Sequence, residues 1–218
     1  MIKLYGLPVS TNVSKVRYAL NSLGLEYELI PTSPMSGETQ SEEYGKISPT
    51  RKIPAIDVDG FTLFESNSIL RYLASREKSE LYPSNLEQRA TVDAWMDYSS
   101  IHVSSAVGRI AFNRVFAPTF GMEVDEKSIT TGLEFLDKQL PVVEKQLSEN
   151  TYIAGNDLSI ADISLFASLD MIEVAQIEIG AYTNLVKWRE GLKAQDFYQK
   201  CYKDYTTFAK EQMSVMAS

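Results

Sequence analysis

Apolar positions recur along the first eighty residues with two different periods. Ile2–Tyr5 is a short apolar run ending at Gly6 and Pro8, the pattern of a buried strand followed by a turn. From Asn12 to Leu23 the apolar residues Val13, Val16, Ala19, Leu20 and Leu23 return at three- and four-residue steps, which sets them on one face of a helix. Gly24 predicts the end of that helix, because a residue without Cβ enters the left-handed region at no steric cost. Tyr27–Ile30 reads as a second strand, so two strands flank one helix in a βαβ unit, parallel by default. The polar stretch Pro31–Gly45 has room for one short helix around Glu42–Lys46. Beyond it, Ile53–Val58 and Phe61–Phe64 flank Asp59-Gly60, a strong hairpin signal. Ser66–Ser75 then reads as a helix with Ile69, Leu70, Tyr72 and Leu73 apolar.

After about residue 76 the strand signals stop. Residues 77–85 (EKSELYPSN) are charged, contain Pro83 and read as a linker. From Leu86 onward the period is helical: a long stretch to about Val115, broken by Pro118 and Gly121, then another from Asp125 to Leu147. Further helices are predicted near Ser159–Gln176, Tyr182–Lys193 and Gln195–Met213, and Pro141 predicts a kink or a boundary inside the second long helix. The expected architecture is an α/β domain over residues 1–76 joined to an all-α domain over residues 86–218.

Composition narrows the chemistry. The 218 residues are 44% hydrophobic and 23% charged, which excludes a disordered or low-complexity chain. A net charge of −8 repels phosphate backbones, so nucleic-acid binding is not expected. The N-terminus lacks the apolar stretch of a signal peptide, and no window is long and apolar enough for a membrane span, so a cytoplasmic protein with no membrane role is expected. One cysteine, Cys201, gives no intramolecular disulfide and no CxxC pair, and one histidine, His102, leaves no cluster for a catalytic metal. Any chemistry must rest on hydroxyls, carboxylates, amides or a reagent taken from solution. Cys201 itself reads as a small buried apolar residue.

Pro54 stands at a predicted strand start, where a proline either lies at the edge of the ladder or carries a cis bond. In its setting, SPTRKIPAIDVDGFTLFESNSILRYL over residues 48–73, and with GNDLSIADISL over residues 155–165, the chain resembles the cytosolic glutathione S-transferase superfamily. The Ser-x-Asn of Ser10-Thr11-Asn12 is similar to its bacterial serine-type or nu-like members. The resemblance implies a thioredoxin-like N-terminal domain, βαβαββα with a cis-proline at Pro54, followed by an all-helical domain. It also implies a homodimeric enzyme that binds glutathione as co-substrate, stabilises its thiolate and conjugates it to a small hydrophobic electrophile, with no metal. Glutathione-dependent disulfide or peroxide reduction on the same fold is the first alternative. A non-catalytic binding or regulatory module is the second.

The resemblance assigns residues. Ser66 opens a helix whose free N–H groups and positive dipole end favour the γ-glutamyl carboxylate, with Glu65 near the amino group. Ile53, set by cis-Pro54, would pair with the cysteinyl backbone, and Lys52 would meet a glutathione carboxylate. In the turn at residues 8–12, Ser10 matches the thiolate-stabilising serine, Asn12 also approaches the sulfur, and Thr11 competes through a one-residue shift. Capping of the first helix calls on the same donors in the same turn. No tyrosine lies in this turn, which disfavours the tyrosine-type classes, and the absence of a cysteine there excludes the branch that forms a mixed disulfide. Pro8, Tyr98, His102, Arg109 and Phe112 would line the electrophile pocket, His102 without a catalytic role. Ser159-Ile160-Ala161-Asp162 reads as a capping box, a folding element and not a substrate contact.

Overall fold

The structure, a computed structural model, describes residues 1–200, so Cys201 and the expected helix beyond Gln199 lie outside the described residues. Strand β1 (Ile2–Gly6) runs parallel to β2 (Tyr27–Pro31) and antiparallel to β3 (Ala55–Val58), which pairs antiparallel with β4 (Phe61–Phe64). The sheet order is therefore β2-β1-β3-β4. Leu4 lies opposite Leu29 on one side and Ile56 on the other, and Leu4 and Ile56 are fully buried. Pro31 is tolerated because β2 is an edge strand and needs no donor on its outer side.

Helix α1 (Thr11–Ser22) buries Val13, Val16, Ala19 and Leu20 as the spacing predicts. Gly24 ends it at φ 66, with the Leu25 N–H donating to the Leu20 carbonyl at 2.9 Å and the Gly24 N–H to Asn21 at 3.1 Å. At Gly6, φ is 156 and a Cβ would stand 2.4 Å from a Val13 methyl, so only glycine lets β1 end this close to α1. That approach fixes the turn between them. Short helix α2 (Glu42–Ile47) precedes the hairpin, and α3 (Ser66–Arg76) buries Ile69, Leu70, Leu73 and Ala74 in the core.

The helical domain begins with α4 (Leu86–Tyr98), which continues through a π-helical segment (Ser99–Ser104), α5 (Ser105–Ala111), a second π-helical segment (Phe112–Phe116) and α6 (Ala117–Thr119). The expected single helix is thus one helical run with two widened stretches, which a 3.6-residue period does not reveal. Gly121, at φ 64, ends the run, and Pro118 is accommodated inside its last turn. Helix α7 (Glu126–Glu149) passes through Pro141 without a boundary there. Helix α8 (Ile160–Ser168) stops eight residues before the expected end, Gln176. Met171, Ile172, Ala175 and Ile177 keep a helix-like apolar spacing while buried on a series of turns, which explains the over-extension. Helices α9 (Thr183–Lys193) and α10 (Asp196–Gln199) complete the described residues, and none of these helices is long and apolar enough to cross a membrane.

The capping box at α8 is present. The Ser159 N–H donates to Asp162 at 3.0 Å, and the Ser159 hydroxyl oxygen accepts from the Ala161 N–H at 3.3 Å. Asp162 is wholly buried and also receives the Ile153 N–H at 2.8 Å and the Trp188 indole N–H at 3.0 Å, so one carboxylate pins three segments. The two domains meet where α1 packs on α8 and α10, with the Tyr18 ring 5.7 Å from Phe166 and 5.6 Å from Tyr198.

Candidate active site

The turn before α1, the loop before β3 and the start of α3 converge at the domain seam. Ser10 is the N-cap of α1 with extended backbone (φ −69, ψ 124), and its carbonyl accepts the Ser14 N–H at 2.8 Å. Its side chain makes no capping hydrogen bond. The hydroxyl is therefore not consumed by the helix, which separates two uses that the sequence leaves entangled. Asn12, the second residue of α1 and exposed, accepts a long 3.4 Å hydrogen bond from the Ser66 hydroxyl.

Glu65 precedes α3 at φ 67 and ψ 110, a strained backbone for a residue with a side chain. The first intrahelical bond of α3 runs from the Ile69 N–H to the Glu65 carbonyl at 2.9 Å, so the N–H groups of Ser66, Asn67 and Ser68 have no partner within the helix. Such a helix start attracts an anion. On the other wall the Ile53–Pro54 bond is cis. The Lys52 carbonyl accepts from the Tyr44 hydroxyl at 2.8 Å and the Ser48 hydroxyl at 3.1 Å, and burial pushes the Tyr44 phenol up to about 12. Arg51, at φ 54, spreads its guanidinium over the carbonyls of Thr39, Gln40 and Ser41, fastening this loop to the segment before α2.

These elements enclose a cavity of about 440 Å³. Of the residues expected at a glutathione site, Asn12, Lys52, Ile53, Pro54, Glu65 and Ser66 line it together. Ser10, Thr11 and Pro8 stand in the adjoining turn, outside the lining. Tyr98 and His102 are placed elsewhere. The Tyr98 hydroxyl donates to Gln139 of α7, its ring lies 5.0 Å from His102, and His102 lies 5.9 Å from Phe135 of α7. The cavity receives Ser100 and Ser104 instead, a different face of the same helical run. Arg109 and Phe112 are exposed and do not line the cavity. Among the described residues no cluster of His, Cys, Asp and Glu could hold a metal ion.

The sequence reading passes over several lining residues: Lys15, Thr50, Arg71 and Asp97, besides the two serines. Lys15 is the least expected, because its side chain is only 2% exposed. Burial lowers its ammonium to about 8, against the opposing pull of Asp170 and Glu65. One signal was available: Lys15 stands three, four and seven residues before Tyr18, Ala19 and Ser22, on a second and less apolar stripe of α1. Asn67 also lines the cavity and ties it to the helical domain, donating to the Met96 carbonyl at 3.2 Å and to Ser100 at 2.9 Å.

A thioredoxin-like sheet, a cis-proline loop facing an open helix start, and a helical domain closing the seam define a two-domain protein with a polar ligand cavity beside the first helix. Residues 1–75 match the family described as "Glutathione S-transferase, N-terminal domain" and residues 94–196 match "Glutathione S-transferase, C-terminal domain". The chain is 34% identical to "Glutathione S-transferase 4" of Zea mays over 197 residues, covering 89% of this chain and 88% of that protein. It is 33% identical to "Glutathione S-transferase 1" of Zea mays over 203 residues, covering 91% and 94%. In structure it is similar to glutathione S-transferase I from maize in complex with an atrazine glutathione conjugate, with a TM-score of 0.86, 32% identity and coverage of 92% and 95%. It is likewise similar to glutathione transferase F2 from Populus trichocarpa, with a TM-score of 0.87, 28% identity and coverage of 92% and 97%. The chain belongs to the glutathione S-transferase family. These relatives are plant enzymes, which corrects the expected bacterial serine-type or nu-like assignment. The Ser-x-Asn turn alone does not separate the branches.

Proposed function

We propose that this protein binds glutathione in the cavity between the cis-proline loop and the start of α3, holds its sulfur as thiolate, and conjugates it to an electrophilic small molecule. The observation that carries this reading is the convergence of Ile53, cis-Pro54, Glu65, Ser66 and Asn12 on one cavity beside the turn at Ser10. Glutathione presents carboxylates at both ends. The open N–H groups of α3 and the Ser66 hydroxyl suit the γ-glutamyl carboxylate, Glu65 suits the adjacent ammonium, and Lys52 suits the glycyl end. The backbone at Ile53 then meets the cysteinyl amide.

That orientation aims the sulfur at the turn before α1. A free cysteine thiol has a pKa of roughly 8.5, and each unit of lowering requires about 1.4 kcal/mol of preference for the charged form. The Ser10 hydroxyl, uncommitted to capping, supplies that preference together with the α1 start, and Asn12 and Thr11 are the other donors in reach of the turn. Holding both reactants in one site removes the entropy of a bimolecular encounter. No cysteine lies in this turn to open a mixed disulfide, which favours conjugation over glutathione-dependent reduction. Pro8, in the turn that adjoins the cavity, is the candidate for electrophile contact.

We further take the active form to be a homodimer in the cytoplasm, a reducing compartment in which glutathione stays a thiol. Phe61 is 50% exposed and lies 5.0 Å from the Tyr72 ring, an aromatic surface on β4 and α3 suited to a second copy. Light scattering tests the assembly. Glutathione titration with the ultraviolet signal of the bound thiolate tests the site; no binding at millimolar glutathione would refute the reading.

A further inference from the structure

A lysine buried this completely is costly unless an anion meets it. The Lys15 ammonium has no hydrogen bond or ion pair with any described residue, yet Lys15 is 98% buried and lines the cavity with Asn12, Glu65 and Ser66. Two carboxylates act on it at longer range: Glu65 from the start of α3, and Asp170 from the turn after α8. Asp170 is already engaged, accepting the Tyr18 hydroxyl at 3.0 Å within reach of the field of Arg189, Glu173 and Lys193. Glu65 is exposed and assigned to the ligand's ammonium. Neither therefore pairs directly with Lys15, and among the described residues no other carboxylate acts on it.

Resting on the glutathione reading above, we infer that Lys15 is a binding residue for the γ-glutamyl carboxylate, approaching from the α1 side while the α3 start approaches from the other. The ligand carboxylate then lies between an ammonium and a ring of N–H groups, and the ligand ammonium between Glu65 and the solvent-facing side of the cavity. A zwitterion so held is matched charge for charge. The arrangement also makes recognition depend on the helical domain, because Asp170 lies across the seam and favours the charged form of Lys15.

The test uses two peptides that differ only in this carboxylate: S-methylglutathione and its analogue in which γ-aminobutyrate replaces the γ-glutamyl residue. Affinities are measured by calorimetry at pH 7 for the full-length wild type, Lys15→Met and Lys15→Gln, with melting curves to establish folding of each variant. Both variants are expected to bind S-methylglutathione roughly ten- to a hundredfold more weakly, the range for a lost hydrogen bond to a charged group, and to bind the analogue as the wild type does. Equal losses on both peptides, or no loss on either, would overturn the assignment while leaving the glutathione site standing. Failure of the wild type itself to bind S-methylglutathione would instead overturn the functional reading on which the assignment rests.

Discussion

The Ser164 hydroxyl donates to the Asn67 side-chain oxygen at 3.0 Å, across the seam between the two domains. Ser164 belongs to α8, and Asn67 is the second residue of α3, next to the Ser66 that heads the ligand cavity. With its amide group bound to Met96 and Ser100 as well, Asn67 joins three helices at the point where the anion-binding start must be held still. Asn67→Ala is expected to lower stability by about 2–3 kcal/mol, since three hydrogen bonds are lost and partly buried partners are orphaned. The KM for glutathione is expected to rise severalfold, through displacement of the α3 start. Urea unfolding and steady-state kinetics check both, and an unchanged unfolding midpoint would contradict the structural role.

Ser10→Ala separates capping from chemistry. Because the hydroxyl caps nothing, the thermal midpoint of the variant should match that of the wild type. The thiol of bound glutathione should instead regain about one to two pKa units, having lost one hydrogen bond to the charged form. Ultraviolet titration of the complex reads this directly. An unmoved thiol pKa would transfer the role to Asn12 or Thr11.

Asp162 is fully buried and receives donors from Ile153, Ser159 and Trp188. Asp162→Ala leaves those neutral donors unsatisfied in the core and is expected to destabilise by about 3–5 kcal/mol, at about 1–3 kcal/mol for each orphaned buried donor. Indole fluorescence, measured in a Trp95→Phe background so that Trp188 alone reports, should shift at a much lower denaturant concentration than in the protein with Asp162.

Local chemistry explains which parts of this architecture the sequence discloses. The Asp59-Gly60 hairpin, the Gly24 stop and the Ser159–Asp162 box each depend on side chains a few residues apart, and each lies where its motif predicts. Widened turns at Ser99–Ser104 and Phe112–Phe116 leave no trace in a 3.6-residue period, so the sequence does not disclose that Ser100 and Ser104 face the cavity while Tyr98 and His102 pack toward α7. The turns after Leu169 imitate a helix because burial alone governs the apolar spacing there. Lys15 was hidden for a related reason: a charge on a helix reads as a solvated face until tertiary structure covers it with the helical domain.

Buried charge should also leave a mark on stability. In the folded protein Lys15 titrates at about 8, below its ordinary 10.5, so between these values the unfolded chain binds more protons and stability rises with pH. Asp170, half-buried, is pushed up to about 7 from 3.8 by desolvation, so across that lower window the folded chain binds more protons and stability falls as pH rises. The two slopes meet in a trough near pH 7–8. Lys15→Met should abolish the alkaline rise and stabilise the ligand-free protein at pH 7 by about 3 kcal/mol, the equivalent of the lysine's displaced titration. Asp170→Asn should flatten the acid side and deepen the cost of Lys15 by removing the carboxylate that favours its charge. Urea unfolding at pH 5, 7.5 and 10 distinguishes these outcomes, and a wild-type curve without a minimum would refute them. A Lys15→Met protein that is more stable yet binds S-methylglutathione more weakly would mark the lysine as retained for the ligand at the expense of the fold.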